Sequence, residues 1–262
     1  MKKALYAILV MLPSLGGTAC SVKEERGDCP CLLNVHVLVP ERDSLPAAFT
    51  LAAGKTDGTS YYAGGYIHEE GSRNVSLSVR KGIYYLGACT GSAAGGLDGP
   101  LLQLPPGQDA EHLFSGTDSV DCRGEKAADT LLLHKQFCRL KVIFKETGPA
   151  WIRHAKIEGH FNGLDLFHNE PVHGSFSCDM TPENPGVFSL CIPRQGDDGL
   201  QLSATGDFPG ATWPLGEFLA SARYNWRKED LDDAVVTIDL SGIEVSIEII
   251  PWKIIEYNQI EF

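Results

Sequence analysis

Val75-Ser76-Leu77-Ser78-Val79, the turn Arg80-Lys81-Gly82 and Ile83-Tyr84-Tyr85-Leu86-Gly87-Ala88-Cys89 together decide the fold class. The first run alternates apolar and polar residues, so Val75, Leu77 and Val79 share one face of a half-buried strand. The second run is aromatic and apolar, and the Gly-bearing turn between them suits a reversal of the chain. The same signature extends upstream. Leu33, Val35, Val37 and Val39 alternate with Asn34, His36 and Leu38 and stop at Pro40. Ala48-Phe49-Thr50-Leu51-Ala52 and Thr59-Ser60-Tyr61-Tyr62 follow, set off by Thr56-Asp57-Gly58 and Glu70-Gly71-Ser72. Short strands at this spacing predict a β-sandwich.

Downstream, residues 91–107 are rich in Gly, Ala and Pro and read as a long loop, and 124–129 interrupts the pattern again. Thr130-Leu131-Leu132-Leu133-His134 and Arg139-Leu140-Lys141-Val142-Ile143-Phe144-Lys145 then open a second sheet. Further strands are expected over 152–157, 174–180, 186–192, 200–205, 235–240, 243–250 and 252–260. Between them Pro214, Leu215, Phe218, Leu219, Ala222 and Trp226 recur at three- and four-residue spacing, which predicts one short helix with proline in its first turn. With 262 residues, 28 Gly and 15 Pro, the chain divides into an N-terminal sandwich over 31–127 and a C-terminal one over 128–262. It is expected to be all-β, with the helix in the second unit.

Residues 1–30 carry an address. Lys2-Lys3 precede an apolar run from Ala4 to Leu12, and Gly16-Gly17-Thr18-Ala19 lead to Cys20, the pattern of an exported chain with a signal over 1–19. Gly-Thr-Ala-Cys resembles a bacterial lipobox, whose cysteine is acylated and becomes the new N-terminus, although Gly17 stands where leucine is usual. Cleavage nearby that leaves Cys20 a plain cysteine is the alternative. One acyl chain holds a membrane only marginally and two or more hold it stably, so an acylated Cys20 is an anchor. Residues 20–30, with Lys23-Glu24-Glu25 within them, read as a short lipidated, charged tether.

The net charge is −12, and −14 without Lys2 and Lys3. So acidic a chain repels phosphate backbones and is not expected to bind nucleic acid. No apolar run reaches the 18 residues of a spanning helix. With Cys20 acylated, seven cysteines remain, an odd number in a compartment that permits disulfides. Residues two apart rarely bridge each other, so one or both of Cys29 and Cys31 are expected to tie the chain entry to the first domain, with Cys89 and Cys122 the nearest candidates. Cys178 and Cys191 lie near the arms of an expected hairpin, and Cys138 is expected to be a buried free thiol. No metal site is expected, because the histidines, His154 and His160 among them, are scattered. Asp197-Asp198 and Glu229-Asp230-Leu231-Asp232-Asp233 lack a calcium loop's acid and glycine pattern and read as solvated loops. No hydrolase, P-loop, zinc-protease or dinucleotide fingerprint occurs, so neither an enzyme nor a cofactor is expected.

The stretch Cys20-Ser21-Val22-Lys23-Glu24-Glu25-Arg26-Gly27-Asp28-Cys29-Pro30-Cys31 resembles the start of the fimbrial anchor lipoproteins of Bacteroidales. Gly82-Ile83-Tyr84-Tyr85-Leu86, His112-Leu113-Phe114-Ser115-Gly116, residues 131–144, Pro214-Leu215 and Ile249-Ile250-Pro251-Trp252-Lys253 are similar to later features of that family. The resemblance implies two tandem transthyretin-like β-sandwiches tethered by lipid to the outer membrane and exposed at the cell surface. It also implies a structural role in rooting a pilus through β-strand contact with a shaft subunit. An anchor of this type keeps its first strand, here residues 31–39, where shaft subunits lose theirs. The segment 252–262 is then either a strand donated to the shaft or one that pairs within its own sandwich. The rival function is a surface glycan-binding lipoprotein using Tyr61, Tyr62, Tyr66, Tyr84 or Tyr85 as stacking platforms.

Overall fold

Pro30–Leu38 forms β1, and burial follows the alternation: Cys31, Leu33, Val35 and Val37 are fully buried while Leu32 and Leu38 stay exposed. The computed structural model describes residues 30–38, 48–67, 74–91, 97–145, 152–207, 210–240 and 244–252. β2 (Ala48–Lys55), β3 (Tyr61–Ile67), β4 (Asn74–Arg80) and β5 (Ile83–Thr90) stand where the sequence predicts strands. β6 (Leu97–Asp98), β7 (Leu101–Gln103), β8 (Phe114–Asp121), β9 (Lys126–Leu132) and β10 (His134–Lys135) follow. β1 is the middle strand of the sheet β4-β1-β9, antiparallel to β4 and parallel to β9. The other sheet has the order β10-β8-β5-β2-β3. Leu33 and Val35 from the first and Tyr84 and Leu86 from the second belong to one buried core.

The second half begins with β11 (Phe137–Lys145), β12 (Ile152–Asp165), β13 (Glu170–Asp179), β14 (Thr181–Asn184) and β15 (Val187–Pro193). It continues with β16 (Gln201–Gly206), β17 (Ala211–Trp213), α1 (Leu215–Ser221), β18 (Asp233–Asp239) and β19 (Glu244–Ile250). β11 repeats the placing of β1: β15 lies antiparallel on one side and β18 parallel on the other, in the sheet β14-β15-β11-β18-β19. The opposing sheet is built on the 14-residue β12, which pairs with β13 along one edge and with β16 and then β7 along the other. The chain is thus all-β, two tandem sandwiches with a single short helix among the described residues, the helix lying in the second sandwich.

Four features depart from the sequence reading. The predicted loop over 91–107 contains β6 and β7, and β7 adds to the second sandwich's sheet through Leu101–Gln103 against β12. β9 runs through the boundary expected near residue 128 and pairs with β1 from Lys126 to Leu132, so the passage between sandwiches falls at Gln136. β8 was not expected, because Ser115, Gly116, Thr117, Asp118 and Ser119 show no apolar period. Its place is set by neighbours, chiefly its eight-residue ladder with β5. The helix ends at Ser221 and does not reach Trp226: Arg223 takes a left-handed conformation, φ 62°, which turns the chain away.

The two sandwiches are pressed together. The turn between β12 and β13, residues 166–169, lies on the outer face of the β5-bearing sheet. Gly87 makes this possible, since a Cβ there would overlap the Leu166 carbonyl. Phe167 stacks against Tyr61 and Tyr85, with centroids 6.1 Å away in each case. Ser115 Oγ donates to Asn169 Oδ1 at 2.6 Å and Thr117 Oγ1 to the Phe167 carbonyl at 2.8 Å. Covering of this outer face explains why β2 is buried on consecutive residues from Phe49 to Gly54, where a one-sided strand would alternate.

Candidate functional site

His134-Lys135-Gln136 is the passage between sandwiches: the side chains of His134 and Lys135 are held by the segment that follows α1, and that of Gln136 by Arg194, which itself binds that segment. Lys135, only 1% exposed, donates from Nζ to Asp233 Oδ1 at 2.5 Å and to the Leu231 carbonyl at 3.0 Å. Its ammonium also sits 4.6 Å from the Phe137 ring centroid and 4.8 Å from that of Trp252. His134 Nδ1 lies 3.1 Å from Asp230 Oδ2 and its Nε2 3.1 Å from Glu229 Oε1. Gln136 Oε1 accepts from Arg194 Nε at 2.7 Å. Arg194 is itself buried and donates to the carbonyls of Trp226, Lys228 and Glu229.

Of the acidic run Glu229-Asp230-Leu231-Asp232-Asp233, expected to be a solvated loop, Glu229 stays exposed while Asp230, Asp232 and Asp233 turn inward. Asp230 also accepts the Lys135 backbone N–H at 2.8 Å, and Asp233 accepts that of Arg139 at 2.8 Å. Asp232 accepts from Lys228 Nζ at 2.6 Å and from the Trp252 backbone N–H at 2.8 Å. A buried cation and carboxylate are tolerated only when their remaining donors and acceptors are filled in this way. The hydrogen bond with Asp230 raises the His134 pKa above its ordinary value against the opposing effect of burial. Burial works to raise the Asp230 pKa, but the bonds from His134 and the Lys135 N–H outweigh it and hold the carboxyl below its ordinary value. No motif announces this clasp, because Lys135 and Asp233 are 98 positions apart in the chain.

Trp252 closes the clasp from the C-terminal side. Its ring lies 6.1 Å from that of Phe114, in the first sandwich. β19 before it pairs with β18 from Glu244 to Ile250. Of the candidate donor segment 252–262, Trp252 is therefore bound into its own chain, and 253–262 lies outside the described residues.

The expected disulfide residues separate by face. Cys31 and Cys122 are both buried in the first sandwich's core, and the neighbouring Cys31 adds to burial in raising the Cys122 pKa. Cys89 shares a face of β5 with Gly87, toward the second sandwich. Cys178, on β13, donates to the Gly107 carbonyl at 3.3 Å, whereas Cys191 is on β15 in the opposing sheet. The two therefore do not lie on the arms of one hairpin, since β13 and β15 belong to different sheets. Cys138 is fully buried, as a structural thiol would be, and burial pushes its pKa up to about 12. Cys20 and Cys29 lie outside the described residues.

Of the tyrosines expected as sugar-stacking platforms, Tyr84 is fully buried and Tyr62 packs against it at 6.3 Å. Tyr61 and Tyr85 pack against Phe167 yet remain 42% and 37% exposed, and the Tyr61 hydroxyl donates to the Gly99 carbonyl. Tyr61 and Tyr62 also line a small pocket of about 330 Å³ with Leu51 and Leu77. The side chain of Tyr66 lies outside the described residues. A cleft of about 700 Å³ does open in the second sandwich beside Asn169, Asp197, Trp226 and Arg227, and Tyr61, Tyr62, Tyr84 and Tyr85 do not line it. Asp197 in its wall pairs with His160 at 2.9 Å and accepts the Gly199 N–H at 2.9 Å. Among the described residues no group of three His, Cys, Asp or Glu side chains is placed to hold a metal ion, and no helix is long and apolar enough to cross a membrane.

This architecture, two docked sandwiches each built around a strand with one parallel and one antiparallel neighbour, is similar in fold to solved fimbrial and adhesin-like proteins of Porphyromonas and Bacteroides. The fimbrial anchor protein Mfa2 from Porphyromonas gingivalis superposes with a TM-score of 0.57 at 13% identity, over 87% of this chain and 100% of that one. A Bacteroides thetaiotaomicron protein provisionally named for polysaccharide binding gives a TM-score of 0.60 at 15% identity, over 84% of this chain and 95% of that one. A provisionally named adhesin from Bacteroides ovatus gives 0.56 at 13%, over 85% and 94%. At these identities the likeness is one of fold. No protein-family model matches the chain, and no curated protein sequence matches it.

Proposed function

We propose that this chain is a non-enzymatic lipoprotein that roots a fimbria in the bacterial outer membrane. Acylated Cys20 is the membrane attachment, residues 20–30 are the tether, and β1 is the strand that carries load into the fold. One observation carries the reading: β1 is the central strand of its sheet, with a ladder on each side and four inward side chains fully buried. A first strand held in this way cannot leave without splitting the sheet, which suits a protein whose N-terminus must stay joined to its lipid. At no more than ~3.6 Å per residue, the tether keeps β1 within about 40 Å of the bilayer surface. The docked sandwiches then pass tension to the far end of the molecule. Among the described residues β19 is the last strand in its sheet order, an edge on which a shaft subunit's strand finds ladder partners.

The test is a Cys20→Ala variant expressed in a fimbriated host. Fimbriae are expected to appear in the medium while the variant folds normally. Appendages retained on the cells as firmly as in wild type would overturn the proposal, as would trypsin-like cleavage at Arg26 in assembled fibres.

A further inference from the structure

We propose that Cys31 and Cys122 form a disulfide that staples the first strand to the opposite sheet of its sandwich. Both side chains are fully buried in one core. Cys31 shares the inward face of β1 with Leu33 and Val35, and Cys122 follows β8 with the inward parity of Val120, whose partner is the buried Tyr84. The backbone brings the two chain segments together. The Leu32 N–H donates to the Glu125 carbonyl at 2.9 Å, and the Cys122 N–H donates to the Gly82 carbonyl at 2.7 Å. Cys122 thus sits where the chain crosses from one sheet to the other, next to the turn whose preceding strand pairs Arg80 with Pro30 and Val79 with Cys31.

The other described cysteines are excluded by their placing. Cys89 faces the second sandwich from the far side of its sheet, and Cys138 and Cys191 lie on opposite faces of theirs, opposite Ile192 and Arg139. Cys178 lies on β13 of the second sandwich, where its thiol donates to the Gly107 carbonyl, away from the core that holds Cys31 and Cys122.

Formation needs an oxidant, and the chemical class that supplies it is a protein disulfide of the thiol–disulfide exchange type, met after export. One thiolate attacks that disulfide and releases a thiolate. The second cysteine then attacks the mixed disulfide and releases the other. Two thiols are oxidised to one disulfide, one disulfide is reduced to two thiols, and the protons pass to the released sulfurs. Burial pushes the Cys122 pKa up to about 12, so thiolate is scarce once the core has closed and exchange belongs to the folding chain. The bond encloses most of the first sandwich, a long loop, and constrains the unfolded chain strongly. It also gives force arriving through the tether a covalent route into the second sheet. This inference rests only on the export part of the proposed function.

The experiment isolates the full chain from cell envelopes, alkylates free thiols before any reduction, and maps the peptides by mass spectrometry. A Cys31 peptide joined to a Cys122 peptide and lighter by two hydrogens is expected, and reduction should lower the Tm by about 10 °C. Envelope-derived protein with both thiols alkylated, or with Cys31 joined to any other cysteine, overturns the inference. Should fractionation find the chain in the cytoplasm, the export reading fails by itself. The pair is then judged by refolding the reduced full chain in a glutathione redox buffer, where failure to join Cys31 to Cys122 also overturns it.

Discussion

Lys135 shows how much a single side chain can decide. It lies in a junction between two cores, paired with Asp233 and bonded to the Leu231 carbonyl, with two aromatic faces against its ammonium. Its removal leaves Asp233 beside Trp252 and the Arg139 N–H without the countercharge that offset its desolvation. Lys135→Ala is therefore expected to cost about 3–5 kcal/mol, measured by urea denaturation of the full chain. Lys135→Met keeps the packed stem and should cost less, because the stem contributes packing as well as charge. Arg139, only four residues on and more than half exposed, pairs with Glu111 at 4.0 Å and should change stability by less than about 1 kcal/mol when truncated to Ala. Position in the fold, and not residue type, separates the two.

At the scale of elements, the decisive contact is between β5 and the β12–β13 turn. Gly87 has no Cβ, and the Leu166 carbonyl occupies the space one would take. Backbone cannot yield as a flexible side chain can. Gly87→Ala is expected to destabilise the chain by about 1–3 kcal/mol and to speed proteolysis within residues 166–169, read by limited digestion. Gly58 offers the contrasting case: it lies in a turn with open space around it, and the strain of a side chain there comes from its φ of 74° alone. The same packing accounts for the tyrosines. Tyr61 and Tyr85 stay partly exposed at the surface, and they also brace the second sandwich through Phe167.

For the whole molecule, the clasp makes two sandwiches into one mechanical body, and its charge makes that union pH-dependent. His134 has a folded-state pKa above the ordinary 6.5, so its contribution is fully present below 6.5 and is lost as pH rises through the raised folded value. Asp230 has one below 3.8, so its contribution is present above 3.8 and is lost as pH falls through the lowered value. Inter-sandwich cohesion should therefore be greatest between those limits. Thermal melts at a series of pH values should show wild type losing stability from neutral to mildly alkaline pH, and His134→Gln should flatten that change. An unaltered profile in the variant would show that the histidine does not titrate against folding.

The all-β class and the positions of β1, β4, β5 and β11 are determined locally, by alternation and by glycine turns, so the sequence alone determined them. Its resemblance to fimbrial anchor proteins likewise anticipated the fold. Tertiary structure alone decided the rest. β8 exists because β5 offers it a ladder, and β7 is a strand because the end of β12 does. The acidic run became a clasp because a lysine 98 positions away lies within 2.5 Å of Asp233. Cys31 meets Cys122 and not Cys89 because the pleat turns successive residues to opposite faces, and only the sheet pairing shows which face meets which. Local pattern is written in neighbours along the chain, while partnership between distant residues is set by how the sheets stack, which no short stretch of sequence encodes.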